Sequence, residues 1–401
     1  MTTYSSDGTR ASGDVRALQE RVRAFVNERV IPLEVACEHD PGSGSAAVFP
    51  PAIARLRDEA REQGLWNLFL THSAADYAPL CEQMGRSLPA PHAFNCAAPD
   101  TGNAEILHRF GTDEQRAVHL DPLLDGRTRS CFAMTEPDVA GSDPVSIETS
   151  ATRRPGGGWT IEGRKWFTTG AQGAATVIVM AVTDASAPRH ERATLFVLPA
   201  DTPGVRIVRS IPVLGHDGFP GHCELRFERC VVPDDAVLGE VGTGFSVAQT
   251  RLSPGRLHHC MRAIGHAERA LELLCERARA RVLRGRPLAD RQLVQELVAQ
   301  SRVEIEQSRA LVRAAAQRLD AVGGAEAAPL ISLAKLSAPA TAQRAVDRAI
   351  QVHGALGVSG DSPLSALSRD ARTLRLVDGA DEVHLTVVAR AQMAGEWASA
   401  A

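Results

Sequence analysis

Aromatic residues are scarce in this chain. They make up 4% of its 401 positions, so a core must be built mainly from Leu, Val, Ile and Ala. No apolar run approaches the roughly 18 residues that a membrane span needs. There is no basic excess either. The net charge is −4, with arginines interleaved among Glu and Asp, which gives no field for nucleic acid or an anionic membrane surface. The eight cysteines (Cys37, Cys81, Cys96, Cys131, Cys223, Cys230, Cys260 and Cys275) include no Cys-x-x-Cys pair and no short secreted framework. They read as reduced, mostly buried thiols of a cytoplasmic protein. Thirteen histidines include the pair His258-His259, but no carboxylate or cysteine stands at ligand spacing from it, so no metal site is expected. Residues 1–13 are rich in Ser, Thr and Gly without an apolar centre. They read as a disordered tail, not a signal peptide. No Gly-x-Gly-x-x-Gly follows a strand pattern, which removes a Rossmann reading. The nearest runs, Gly242-Thr-Gly244 and Gly354, Gly357 and Gly360, fall in helical sequence. Internal repeats and low-complexity segments are also absent.

What is present is a chain with room for two or three packed units, at roughly 100–200 residues each. Residues 14–130 carry helical periodicity. Val15, Leu18, Val22, Phe25 and Val26 recur at that spacing up to Pro32. A Gly/Ser/Pro connector occupies 40–51. Further helices are expected over 52–64, 75–88 and 101–110. Thr112 or Asp113 caps the next one, which runs to about 124. Residues 131–240 change period. The pattern predicts a hairpin from 159–163 and 165–169, a β-branched run over 176–182, and short strands at 194–198 and 205–208. Cys223, Leu225 and Phe227 alternate with charged neighbours, as on a half-buried strand. Many short strands without intervening helices predict an antiparallel barrel or sandwich. From Gly244 the helical period returns, with long segments at 245–283, 289–322 and 328–352 and shorter ones at 363–376 and 383–393. Pro254-Gly255 marks a kink, and Gly323-Gly324 ends the second segment. The fold class is therefore α+β: an N-terminal helical domain (14–130), a middle β domain (131–240) and a C-terminal helical bundle (241–401).

Three stretches stand out within this frame. Phe132-Ala-Met-Thr-Glu-Pro-Asp-Val-Ala-Gly-Ser-Asp143 is a loop of small and hydroxyl residues between the helical and strand-rich parts. Small residues let the backbone approach a bulky ligand, and free N–H groups can hold an anion. Read alone, it is also an ordinary polar loop. Lys165-Trp-Phe-Thr-Thr-Gly170 follows, and Leu376-Val-Asp-Gly-Ala-Asp-Glu-Val-His384 lies near the C-terminus. In this order and spacing the three resemble the acyl-CoA dehydrogenase superfamily of flavoenzymes. The likeness is greatest to the dehydrogenase domains of family members ten and eleven. That branch carries runs similar to Cys96-Ala-Ala-Pro-Asp-Thr-Gly-Asn103, Gly255-Arg-Leu-His-His-Cys-Met-Arg262, Ser301-Arg-Val-Glu-Ile-Glu-Gln307 and 378–384.

The resemblance implies FAD-dependent α,β-dehydrogenation of an acyl thioester. A carboxylate removes a proton from Cα while a hydride leaves Cβ for flavin N5. It places the base at Asp378, where the commonest members carry Glu. Aspartate is one methylene shorter, about 1.5 Å, so the backbone must come closer or the substrate must sit differently. The alternative on the residues alone is that Asp378 caps the last helix, a role that can coexist with the first. Asp381 and Glu382 are rival carboxylates, less apt because they fall inside that helix. By resemblance, Phe132, Met134, Thr135, Gly141 and Ser142 contact flavin, with Ser142 also near the substrate. Trp166 packs on the flavin ring, and Thr168 hydrogen-bonds near N5. Without the resemblance, Trp166 is equally a core tryptophan. Arg281, Gln292, Gln351, Gly354, Gly357, Val358 and Ser359 match positions that reach flavin in a neighbouring subunit, which implies a homo-oligomer, a dimer or a tetramer. Arg281 read alone is a solvated helix face. Ser253, Arg256 and Gly379 match substrate contacts, the Gly379 N–H being suited to the thioester carbonyl.

Three positions depart from the commonest pattern. Arg284 stands at a usual Phe, and Ala380 and Glu382 replace a Thr and a Gln that touch flavin. An electron-transfer flavoprotein is the implied acceptor. Rival readings on the same fold are an acyl-carrier-protein dehydrogenase, a flavin oxidase and nitroalkane oxidase. A further rival is a catalytically idle scaffold. The branch likeness also makes a 4-hydroxyacyl-CoA a candidate substrate.

Overall fold

The structure, a computed structural model, describes residues 12–34, 49–395 and 397. The expected tail at 1–13 and connector at 40–51 lie largely outside these residues, and Cys37 lies wholly outside them. The seven described cysteines are free thiols, six of them buried.

In the N-terminal part, α1 (Ser12–Phe25) continues through a wider turn, Val26–Val30, into a tight one at Pro32. Its inner stripe of Val22, Phe25, Val26 and Val30 is buried, as the spacing predicts. Helix α2 (Pro51–Glu62) begins on proline, which has no N–H to orphan there. Helix α3 (Ala74–Met84) is capped by the Ser73 hydroxyl, which accepts from Asp76 N. Helix α4 (Asp100–Phe110) precedes a capping box in which Thr112 and Gln115 satisfy each other's N–H groups.

The strand-rich region forms β1 (Ser130–Ala133), β2 (Ser150–Arg153), β3 (Trp159–Thr169), β4 (Thr176–Val182), β5 (Ala193–Pro199), β6 (Val205–Ser210), β7 (His222–Val232) and β8 (Val237–Leu238). They make one eight-stranded sheet, ordered β6-β7-β3-β2-β4-β5-β8 with β1 beside β4. Two findings correct the sequence reading. Residues 159–169 are one bulged strand, not a hairpin. The sheet is also not wholly antiparallel, because β1 runs parallel to β4 and β2 meets β4 in parallel at one position.

The C-terminal part contains α5 (Gly244–Ala280), α6 (Gln292–His353), α7 (Leu364–Thr373) and α8 (Asp381–Met393). The predicted end at Gly323 is observed: Gly323 takes φ 79, a non-helical conformation that separates two successive helices, here spanned together as α6.

These elements divide into two compact units. The helical unit takes described residues up to Glu34, Ala60–Phe94 and the chain from Ser253 onward; the sheet unit takes the rest up to Leu252. In the helical unit, Ala270, Leu274, Val346, Ala349, Leu364 and Leu367 form a core. Its alanines let helices approach closely, which is how a chain poor in aromatics reaches interior density. The crossing of the segment after α3 with α5 is closer still. A Cβ on Gly265 would lie 2.1 Å from the Glu82 carbonyl oxygen, and one on Gly85 would lie 2.2 Å from that of Arg262. In the sheet unit the core is the buried face of β3, β4, β5 and β7, with Trp159, Ile161, Val177, Val179, Phe196, Leu225 and Phe227. The edge strand β6 shows Arg206 and Arg209 to solvent, which discourages edge-to-edge pairing. Among the described residues, no helix is long and apolar enough to cross a membrane.

Candidate active site

The sheet unit holds the loop that follows β1. Its anchor is a buried ion pair. Lys165 Nζ, on β3, donates to Glu136 Oε1 at 2.7 Å and to the Met134 carbonyl at 2.9 Å. Glu136 also accepts from the backbone N–H of Glu148 (2.7 Å) and Thr149 (2.9 Å). The two side chains are 0% and 5% exposed. Burial pulls the Lys165 ammonium down to about 8, against the pull of Glu136. Burial works to raise Glu136, but Lys165 and the two backbone donors outweigh it and hold the carboxyl below its usual range. One further bond, Trp166 N to Thr135 O at 2.9 Å, fastens the loop to β3. The Thr-Glu-Pro run is therefore tied to a strand on its inner side, so its position does not depend on its own flexibility.

Strand β3 is irregular where it matters. Its pairing with β7 shifts register between Lys165 and Thr168, and Phe167 there takes φ 49. A bulky residue in that region is strained. The bulge re-aims neighbouring side chains. It leaves Phe167 41% exposed, half-buries Trp166 and sets their rings 4.9 Å apart, edge to face. Thr168 faces inward, and its buried Oγ1 has no hydrogen-bond partner. An orphaned hydroxyl beside an aromatic bulge suits a bound group with an acceptor or donor at that point. Phe132 lies under the Arg251 guanidinium, 4.2 Å from its ring centroid. Arg251 Nε in turn donates to Asn103 Oδ1 at 3.0 Å. Met134 and Thr135 are half-buried, while Gly141 and Ser142 are exposed on the outer limb of the loop.

The helical unit holds Asp378. Asp378 and Gly379 both take positive φ, 55 and 108, so the chain makes a left-handed turn between α7 and α8. Ala380 is the N-cap residue of α8 and no side chain caps that helix. The capping role for Asp378 is thereby removed. Asp381 sits in the first turn of α8, held by Arg375 at 2.6 Å, and Glu382 is exposed.

Asp378 faces α5. His259 Nε2 lies 3.2 Å from Asp378 Oδ2. Arg256 Nε donates to the Asp378 backbone carbonyl at 2.8 Å. A Cβ on Gly255 would stand 3.4 Å from the same Oδ2, so the carboxylate lies against this part of the helix. Gly379 is required twice over, by its φ and because a Cβ there would lie 2.9 Å from His384 Nε2. His384 is buried and pushed down to about 4, by burial first and then by Lys335 and Arg256. Lys335 is fully buried and donates to the Leu374 carbonyl. Burial lowers its pKa, and Cys260, Asp378 and Asp381 oppose that. Burial likewise lowers Arg256, with Asp378 opposing.

The other named positions are spread over the helical unit. Ser253 packs against Gly324, whose Cβ would lie 2.8 Å from its Oγ. Arg281, Gln292, Gln351, Gly354 and Val358 are exposed, Ser359 is half-buried and Gly357 is buried. Arg284 is exposed in a turn at φ 52. Among the described residues, no group of three or more His, Cys, Asp or Glu is placed to hold a metal. Sequence reasoning missed His259, Lys335, the Glu136–Lys165 pair and the bulge at Phe167. The helical spacing Arg256, His259, Arg262 was a usable signal for the first, since residues three apart share a helix face.

A helical–sheet–helical chain with a strand-anchored polar loop and a carboxylate on a left-handed turn is the arrangement that the resemblance to a flavin-dependent oxidoreductase family implies. Family models for the acyl-CoA dehydrogenase N-terminal, middle and C-terminal domains match residues 12–127, 131–230 and 242–393. The chain belongs to the acyl-CoA dehydrogenase family. It is 51% identical to the probable acyl-CoA dehydrogenase FadE2 of Mycobacterium tuberculosis, over 94% of each chain. It is 44% identical to mouse acyl-CoA dehydrogenase family member 10, over 94% of this chain but 37% of that protein. Among solved structures it resembles butyryl-CoA dehydrogenase from Megasphaera elsdenii, with TM-score 0.81 and 27% identity over 96% of this chain and 100% of that one. The chain spans about half the length or less of the family members 10 and 11 that it matches.

Proposed function

We propose that the chain carries out FAD-dependent α,β-dehydrogenation of an acyl-CoA thioester to the trans-2-enoyl thioester, with Asp378 as the base. The observation that carries this reading is the Asp378 turn, where backbone and carboxylate are held separately by Arg256 and His259. A carboxylate so restrained can remove a proton from Cα, a step worth about 10²–10⁴-fold. The Gly379 N–H would donate to the thioester carbonyl as negative charge develops on its oxygen. Ser253, Arg256 and the exposed Ser142 would contact the substrate around that point.

When bound, FAD would supply the two-electron acceptor, taking the Cβ hydride at N5. Its ring would be held by Phe132, Met134, Thr135, Gly141, Ser142, Trp166 and Thr168, and the unpartnered Thr168 hydroxyl supports this assignment. Ala380 and Glu382 would lie near it. Arg281, Gln292, Gln351, Gly354, Gly357, Val358 and Ser359 would reach the cofactor of a neighbouring copy, in a homodimer or homotetramer. An arginine fork suits the pyrophosphate. The functional division would follow 14–130, 131–240 and 241–401. An electron-transfer flavoprotein would reoxidise the enzyme, in the cytoplasm.

The test is product analysis on purified protein with an acyl-CoA panel and an artificial electron acceptor. An enoyl-CoA two mass units lighter, formed only with the acceptor, is expected. Peroxide formed from oxygen would make the protein an oxidase. Protein purified without yellow flavin would remove the enzyme reading altogether.

A further inference from the structure

The basic residues on one face of α5 do different jobs around Asp378. Arg256 holds its backbone, as described. His259 touches its carboxylate, and Arg262, one turn further on, touches His259. Arg262 Nη2 lies 3.0 Å from His259 Nδ1. A guanidinium can only donate, so Nδ1 must be the accepting, unprotonated nitrogen. The ring proton is then on Nε2, the atom 3.2 Å from Asp378 Oδ2. An imidazole in the other tautomer would turn a lone pair toward the carboxylate. A doubly protonated ring would turn an N–H toward Arg262.

We propose that His259, locked by Arg262 as the Nε2–H tautomer, is a positioning residue for the Asp378 base. It fixes the rotation of the carboxylate through a neutral N–H donor. The inference rests on Asp378 being the base. The charge pattern agrees. His259 is half-buried, with its side chain 14% exposed; desolvation keeps it from protonating, with Asp378 opposing and Arg262 and Lys335 adding to the effect. The other charged or titratable groups around the turn are Arg256, His258 and Cys260 on α5, Lys335 on α6, Asp370 on α7, the Arg375–Asp381 pair before and within α8, and His384 on α8.

The experiment compares flavin reduction by an acyl-CoA in the full-length flavin-loaded enzyme and in His259→Phe, His259→Gln and Asp378→Asn. A mis-aimed base loses on the order of 10²-fold in rate. His259→Phe should show that loss with substrate affinity kept within about threefold. His259→Gln keeps an N–H donor at similar reach and should recover most of the rate. The pH at which the base titrates should rise in His259→Phe, because the ionised carboxylate has lost its donor. Equal rates in wild type and His259→Phe, or equal loss in the Phe and Gln variants, would overturn the proposal. So would an unchanged pH profile in His259→Phe. Asp378→Asn separates the two claims. If it reduces flavin normally, the base assignment fails; if it is inactive while His259→Phe is normal, only the role of His259 fails.

Discussion

The buried Glu136–Lys165 pair offers a quantitative test of how the loop is held. Both side chains are essentially removed from solvent, and the pair is hydrogen-bonded at 2.7 Å. Removing one partner strands the other as a buried charge, which costs about 3–5 kcal/mol. Lys165→Met leaves Glu136 with the Glu148 and Thr149 N–H donors, so its cost should fall near the lower end. Glu136→Gln removes the counter-charge and leaves the buried ammonium with neutral acceptors, the Met134 carbonyl and the Gln amide oxygen, and should cost more. The double variant Glu136→Gln/Lys165→Met carries no buried charge. It should be more stable than Glu136→Gln alone, with a coupling energy of about 2 kcal/mol or more. Urea unfolding followed by tryptophan fluorescence, in Trp66→Phe/Trp397→Phe backgrounds that leave Trp159 and Trp166, reads the sheet unit. Single variants each within about 1 kcal/mol of wild type, or singles that add in the double to within about 0.5 kcal/mol, would refute the reasoning. The same variants should bind FAD less tightly, since the pair anchors the loop as well as the strand.

Three further outcomes follow from the geometry. His384 is held near 4 in the folded protein, below its usual 6.5. The unfolded chain therefore binds more protons between those values, and stability present above about 6.5 is lost as pH falls toward 4, by about 2 kcal/mol near pH 5. Urea midpoints at about pH 7.5 and 5 measure this, and buried His258, pushed down to about 3, acts in the same direction. Gly379→Ala forces a side chain into φ 108 and against His384; a loss of about 1–3 kcal/mol should appear as a lower melting temperature. Thr168→Val removes a buried hydroxyl that has no partner. It should leave flavin-free protein as stable as wild type or more so, while FAD affinity falls about tenfold, or 1.4 kcal/mol, by fluorescence titration.

The sequence was most informative where a signal is local. Helix stripes, the alternation of Cys223, Leu225 and Phe227, the capping Thr112 and the position of Asp378 ahead of α8 all depend on neighbours within a turn or two. It misled where one residue type serves two physical purposes. Gly163 reads as a hairpin turn. In the sheet it lies mid-strand, where a Cβ would sit 2.4 Å from Thr149 Oγ1, so it is needed for close approach and not for reversal. The parallel β1–β4 pairing has no local signature, because strand direction is set by the connection. His259 and Asp378 are far apart in sequence, and only the folded helical unit shows that they touch.

The account's central claim is that Asp378 removes the α-proton. Anaerobic stopped-flow mixing of flavin-loaded protein with a panel of acyl-CoAs, 4-hydroxyacyl forms included, tests it most directly when wild type and Asp378→Asn are compared. Rapid loss of the flavin absorbance in wild type, slowed at least about 10²-fold in Asp378→Asn with substrate still bound, is the predicted result. Equal reduction rates in the two proteins would contradict it.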